Sequence, residues 1–300
     1  MAAPKPQFGT TAADGRLRVV RELDELRTGL DQYRADGQRI ALVPTMGNLH
    51  AGHMALVQSA RKHGDLVIAT IFVNPFQFAP NEDFDTYPRT FDSDVAQLAE
   101  NGCDVVFAPD GNDVYPRGPE TITRVSVPEL GDILCGASRP GFFRGVATVV
   151  SILLNMVQPH VAIFGEKDYQ QLLIIRRMAA DLRMRVDIES VATVREADGL
   201  AMSSRNGYLS AEERACAPAL YRTLSDARDA LLVGDSDFAA VRLQALEQLK
   251  RAGFKPDYFE LKQRLDLSPL QVDGVPGNGD LILLAAASLG SARLIDNLAF

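Results

Sequence analysis

The sequence predicts an α/β protein in which a parallel sheet carries helices on both faces and is followed by a smaller α+β domain. Three observations carry this expectation. Short apolar runs of the kind found in buried strands alternate with stretches of helical period as far as residue 192. The texture changes at Thr193, where a polar stretch leads into Ala-, Leu- and Arg-rich helical sequence. Three strand-like segments with no helix between them then close the chain. Alternation of the first kind is the mark of βαβ units, which place strands side by side and in parallel.

Taken in order, residues 1–16 mix Pro, Gly, Ala and Thr without a period and are expected to form a loose leader. A helical stretch follows near residues 20–37. Strands are expected at 40–43, 66–73, 105–108, 161–164 and 186–191, where apolar runs look like those of buried strands. Helices are expected between them at 53–62, 91–101, 146–157 and 168–182. The domains are therefore expected to span 17–192 and 193–300. In the second, Ser210 and Glu213 have capping-box spacing at a helix start, helical sequence runs to Gly253, and strands are expected at 257–262, 280–286 and 292–298.

Composition narrows the function classes. With 46% hydrophobic and 23% charged residues, the 300-residue chain is neither collagen-like, coiled-coil nor disordered, and it can bury about three quarters of its unfolded surface. Its longest apolar run, residues 281–289, is less than half of the roughly 20 residues that a bilayer span needs, and the N-terminal stretch has no apolar signal core. Its three cysteines lie far apart, without zinc or disulfide-framework spacing. A cytoplasmic location with no membrane partner is the expectation. A net charge of -8 opposes non-specific binding to phosphate backbones, so no nucleic-acid partner is expected either. A small anion can still be held if cationic groups and backbone N–H groups cluster locally.

In an open parallel sheet, ligands bind beyond the carboxyl ends of the strands. The loop after the first long strand reads Pro44-Thr-Met-Gly-Asn-Leu-His-Ala-Gly-His53 and opens into a helix. His50 and His53 can share one side of its first turn, with Gly52 between them, where two imidazole donors beside the positive helix end would cradle a phosphate. Two unrelated surface histidines are the plainer alternative, although the chain has only four. A second cluster, Gly165-Glu-Lys-Asp-Tyr-Gln-Gln171, follows the strand at 161–164; Lys167 suits a phosphate and Gln171 a polar substrate, or the segment is a solvated helix start. A third, Met202-Ser-Ser-Arg-Asn206, suits closure over a triphosphate, or is a linker. The amides of Asn74 and Gln77, in Phe72-Val-Asn-Pro-Phe-Gln77, suit a hydroxylated acid because they hold oxygens without neutralising a nucleophilic carboxylate. His63 and His160 are expected at the surface or a strand edge. Tyr87-Pro-Arg-Thr90 with Asp92, Asp94 and Gln97 reads as a helix start with an acidic first turn, or as help for a hydrated Mg²⁺.

In this order and over nearly the whole chain after the leader, these segments resemble the pantoate-β-alanine ligase family of the nucleotidylyltransferase superfamily, with its H-x-G-H signature. Gly-Glu-Lys-Asp-Tyr-Gln-Gln and Asp-Gly-Leu-Ala-Met-Ser-Ser-Arg-Asn are the specific parts; the latter resembles a divergent form of the superfamily's mobile K-M-S-K-S loop. The resemblance implies a Rossmann-like first domain and a second domain that forms a lid. It implies that pantoate attacks Mg-ATP to give pantoyl adenylate and pyrophosphate, and that β-alanine then displaces AMP to give pantothenate. His50, His53, Lys167, Ser203, Ser204 and Arg205 would act on the triphosphate. Pro44, Thr45, Met46, Gly47, Gly52, Gly165, Asp168, Val194 and Met202 would complete the ATP site. Pro44, Met46, Asn74, Gln77 and Gln171 would surround pantoate, and Asp94 and Gln97 would touch Mg²⁺ indirectly. A homodimer is implied as well. One departure stands out: the family commonly has G-H-F-R-G-V where this chain has Gly141-Phe-Phe-Arg-Gly-Val146. The alternatives are another H-x-G-H nucleotidylyltransferase, whose phosphate acceptor would call for cations where this chain has amides, and a non-catalytic nucleotide-binding protein of the same fold.

Overall fold

The computed structural model describes residues 7–12, 15, 17–78, 84–118, 120–233, 237–270 and 280–300. Much of the expected leader therefore lies outside the described residues. In chain order the elements begin with β1 (Thr10–Thr11), β2 (Arg18–Val20), α1 (Leu23–Ala35), β3 (Ile40–Thr45), α2 (Ala51–His63), β4 (Leu66–Ile71), α3 (Phe91–Glu100) and β5 (Val105–Phe107). They continue with α4 (Gly111–Val114), α5 (Cys135–Ser138), α6 (Phe142–Val157), β6 (Val161–Gly165), α7 (Tyr169–Asp181) and β7 (Asp187–Val191). The last are α8 (Ala211–Cys216), α9 (Ala219–Val233), α10 (Phe238–Arg251), β8 (Lys255–Gln263), β9 (Leu281–Leu289) and β10 (Ala292–Ala299). Short 3₁₀ turns lie at Pro75–Gln77, Glu166–Asp168 and Ser204–Tyr208.

The chain divides into two compact units. The first comprises Met1–Asp132, Arg139–Glu166 and Gln171–Ala192, and the second Ile133–Ser138, Lys167–Gln170 and Thr193–Phe300.

The first unit holds a seven-stranded sheet in the order β1-β2-β5-β4-β3-β6-β7. Every neighbouring pair is parallel except β1 with β2. Parallel strands need both faces covered, and alternate side chains meet that need. Ala41, Val43, Val67, Ala69, Val106, Val161 and Ile163 pack with Met54, Val57 and Ala60 of α2 and Leu98 of α3. The intervening Ile40, Leu42, Ile68, Phe107 and Ala162 are fully buried on the other face, where α6 packs on β3 and on α1. The architecture is the Rossmann-like one that the sequence predicts.

In the second unit β8, β9 and β10 form an antiparallel sheet in the order β10-β9-β8. The apolar Leu281–Leu289 run is its central strand, and α9 and α10 pack on the sheet. Pro256 lies in edge strand β8, next to a register shift, where a missing N–H breaks no inner ladder. The predicted capping box is present: Ser210 accepts from the Glu213 amide at 3.2 Å and Glu213 accepts from the Ser210 amide at 2.8 Å.

Candidate active site

Strand order locates the ligand crevice of the first unit. From β3 the chain moves outward through β4 to β5, then returns to the other side of β3 with β6 and continues to β7. Neighbouring β3 and β6 therefore flank the switch point, and their carboxyl ends mark where an open α/β sheet binds its ligand. The loop leaving β3 carries the two histidines, and Gly165 ends β6.

His50 is the N-cap of α2. Its Nδ1 accepts from the Gly52 amide at 3.1 Å, and Nδ1 of His53 accepts from the His50 amide at 3.3 Å. An imidazole nitrogen that accepts carries no proton, so each ring bears its proton on Nε2 and offers that atom as a donor. The rings lie 4.1 Å apart, centroid to centroid. The first turn of α2 contains no acidic residue, unlike those of α1 and α3, so nothing there offsets its positive end.

Asp94, on α3, shapes this loop. It is 1% exposed, and its carboxylate accepts from the amides of Asn48 at 3.0 Å and Leu49 at 2.8 Å and from the Thr90 hydroxyl at 3.1 Å. Gly47 has a φ of 81°, and a Cβ there would lie 3.0 Å from Asp94 Oδ2, so a left-handed turn and a close approach both require glycine. Gln97 lies 3.5 Å from Ser93 Oγ on the same helix. Thr45, expected at the ATP site, is buried, and its hydroxyl donates to the Thr70 carbonyl at 2.6 Å, tying the ends of β3 and β4 together.

The loop after β4 presents one amide. Asn74 is fully buried: its Nδ2 donates to Gln77 Oε1 at 3.1 Å and to the Gly145 carbonyl at 3.3 Å, and its Oδ1 accepts from the Phe76 amide at 3.2 Å and the Tyr115 hydroxyl at 2.6 Å. Asn74, expected beside pantoate, thus has its hydrogen bonds within the fold and no exposed surface, while its neighbour Gln77 is half-buried. Arg139 Nη2 donates to the Gln77 carbonyl at 2.9 Å, and its guanidinium stacks 3.6 Å above Phe142. An arginine-aromatic stack thus forms at Phe142.

The second unit holds the other charged segments. Lys167 Nζ lies 3.7 Å from Asp168 Oδ2, and the Lys167 carbonyl accepts from Asn297 Nδ2 at 2.9 Å. The polar stretch after Thr193 forms a hairpin, with Met202 N donating to the Val194 carbonyl, Arg195 bridged to Ala201, and Glu196 N donating to the Leu200 carbonyl. Ser203 caps the 3₁₀ turn that follows by accepting from the Arg205 amide at 3.2 Å. Arg195 pins the hairpin to β10 through two hydrogen bonds to buried Asp296, at 2.6 and 2.9 Å, and lies 3.6 Å over the ring of Tyr221. Burial pushes the Asp296 carboxyl up and Arg195 opposes that shift. Gln170, which the sequence passes over in favour of half-buried Gln171, is buried and binds the backbone of Ile133 and Cys135 at 2.7 and 3.2 Å.

The model of the family described as pantoate-beta-alanine ligase matches residues 18–299. The chain belongs to that family. Pantothenate synthetases of Azotobacter vinelandii and Chromohalobacter salexigens are 55% and 56% identical to it, each over 94% of this chain and over 97% and 98% of their own. The crystal structure of pantothenate synthetase from Thermus thermophilus superposes with a TM-score of 0.86 at 45% identity, covering 94% of this chain and 99% of that one. A Francisella tularensis pantoate-beta-alanine ligase complexed with beta-gamma ATP and beta-alanine superposes with a TM-score of 0.75 at 32% identity, covering 94% and 97%. This family member is thus an enzyme of the ligase class. Among its described residues no three His, Cys, Asp or Glu side chains form a metal-holding group, and no helix is long and apolar enough to cross a membrane.

Proposed function

We propose that the chain condenses pantoate with β-alanine at the expense of ATP, through a pantoyl adenylate. The observation that carries the reading is the H-x-G-H turn at the switch point of a sheet whose chain belongs to this ligase family. A pantoate carboxylate oxygen attacks the α-phosphorus of Mg-ATP, the bond to the bridging oxygen breaks, and pyrophosphate leaves. The β-alanine amine then attacks the acyl carbon, loses a proton, and AMP departs with the bonding electrons. Mg²⁺ enters as part of the nucleotide substrate.

In-line displacement asks chiefly for positioning and charge neutralisation. His50 and His53 donate from Nε2 to phosphate oxygens, beside the uncompensated positive end of α2. Lys167, Ser203, Ser204 and Arg205 meet the charge that develops on the leaving pyrophosphate. Gly47, Gly52, Gly165, Asp168, Val194 and Met202 hold the nucleotide, largely through backbone. Pro44, Met46, Gln77 and Gln171 surround pantoate. The second unit supplies the lid, the protein works as a homodimer, and it resides in the cytoplasm. ATP/pyrophosphate isotope exchange should require pantoate and proceed without β-alanine. Exchange in the absence of pantoate, or AMP formation only with a different acid, overturns the substrate assignment.

A further inference from the structure

The hydrogen bonds around Asn74 have a direction, and that direction reaches Gln77. A backbone N–H only donates and a carbonyl only accepts. The Phe76 amide on one end of the Asn74 side chain and the Gly145 carbonyl on the other therefore fix which end is oxygen and which is nitrogen. Gly145 makes this possible: a Cβ at that position would lie 2.3 Å from the Phe76 carbonyl oxygen, so only glycine lets the turn approach α6 so closely. The Tyr115 hydroxyl makes the shortest of the four bonds, 2.6 Å to Asn74 Oδ1. Its ring is buried and wedged edge-on between Phe72 and Phe76, at centroid distances of 6.0 and 5.0 Å. Burial also pushes the phenol's pKa up, so the hydroxyl keeps its proton at working pH.

With its oxygen claimed twice, Asn74 turns its NH₂ toward Gln77 and takes Oε1 of Gln77 as acceptor at 3.1 Å. The Gln77 amide then has one orientation, with its oxygen inward and its NH₂ on the opposite side. We propose that Tyr115 and Asn74 are positioning residues that set the polarity of Gln77, so that this loop offers an N–H donor and reads an oxygen acceptor of the acid substrate. The inference rests on the pantoate reading above and adds what that reading lacks: the chemical sense of the contact and the two buried side chains that impose it. A hydroxylated carboxylic acid meets this subsite with a carboxylate or hydroxyl oxygen, and an amine or amide N–H in the same place is refused.

The test uses the purified full chain and pantoate-dependent pyrophosphate release, with KM measured for pantoate and for ATP. Gln77→Glu keeps the shape and the inward acceptor but replaces the outward donor by oxygen; Gln77→Met removes both. Gln77→Glu should raise the pantoate KM at least as much as Gln77→Met does, on the order of tenfold or more. Tyr115→Phe should raise the pantoate KM roughly threefold to tenfold and leave the ATP KM within about twofold, with the circular dichroism of the wild type. A Gln77→Glu enzyme whose pantoate KM stays near that of the wild type overturns the proposal, as does a Tyr115→Phe enzyme that moves both KM values together or neither. If Tyr115→Phe does not fold, the Gln77 pair decides alone. Failure of the underlying reading looks different, since the wild-type chain would then release no pyrophosphate in response to pantoate.

Discussion

A single buried carboxylate shapes the H-x-G-H turn. Asp94 receives two backbone amides of the loop that ends β3, and a Cβ on Gly47 would lie 3.0 Å from its Oδ2. Hydrogen bonds to a charged acceptor contribute about 1.5 to 3 kcal/mol each, and replacing the carboxylate by an amide sets an NH₂ against one of those N–H groups. Asp94→Asn should therefore lower the unfolding free energy by roughly 2 kcal/mol in urea titration. It should also raise the KM for ATP at least several-fold while the pantoate KM changes less, because the displaced loop is the one leading into His50. Equal effects on the two substrates would reduce Asp94 to a general stabiliser. The sequence shows an acidic first turn on α3 and a choice between helix start and metal contact; the amides that answer it are 45 and 46 residues away, and no local spacing reveals them.

At the scale of elements, β3 to β7 are legible and all match the expected segments to within two residues: β3 to β6 because burial leaves mainly apolar runs, and the edge strand β7, Asp-Ile-Glu-Ser-Val, despite its exposed polar residues. The extension β1-β2 is not: Arg18–Val20 is three residues long, it borders the expected helix, and its partner is β5, 87 residues downstream. The sequence places a helix at 146–157, whereas α6 begins at Phe142 and includes Gly145, where a Cβ would lie 2.3 Å from the Phe76 carbonyl oxygen. The same division holds for the site. The histidine pair and Lys167 are local signals at strand ends, while Tyr115, Asp296 and Asn297 bond residues 41, 101 and 130 positions away.

One sheet junction also predicts a pH response. His160 extends the β3-β6 pairing: its amide donates to the Ile40 carbonyl at 2.9 Å and its Nδ1 accepts from the Ile40 amide at 2.9 Å. Desolvation, followed by Arg39 and Arg34, lowers its pKa below the ordinary 6.5, with Asp187 and Asp65 opposing. The folded state then binds fewer protons than the unfolded chain, so this contribution is complete above about pH 6.5 and is lost as pH falls from there toward the lowered folded value. Urea midpoints should decline between about pH 7.5 and 5.5 in the wild type and decline less in His160→Gln. Parallel slopes for the two proteins would remove His160 from the account.

For the molecule as a whole, the difficulty is to hold a polyanion on a chain of net charge -8. Global charge opposes the encounter, so affinity has to come from short-range donors; those of the proposed reading are two Nε2–H groups at a helix end with no acid in its first turn, together with Lys167 and Arg205. In the proposed reading pantoate is positioned by the neutral amides of Gln77 and Gln171, and its carboxylate lies against the α-phosphorus, so each substrate is expected to order the site for the other. Ligand that binds only the folded state stabilises it by about 2.7 kcal/mol at a hundred times its Kd, and for a chain of this size each kcal/mol shifts Tm by roughly 2 °C. Saturating Mg-ATP should therefore raise Tm by about 5 °C. Pantoate added to the ATP complex should raise it further, by more than pantoate does alone, since the two substrates together approach the geometry of the first displacement and can react to the bound adenylate. Purely additive shifts would mean that the acid and the nucleotide bind without sensing each other, and the adenylation reading would lose its thermodynamic basis.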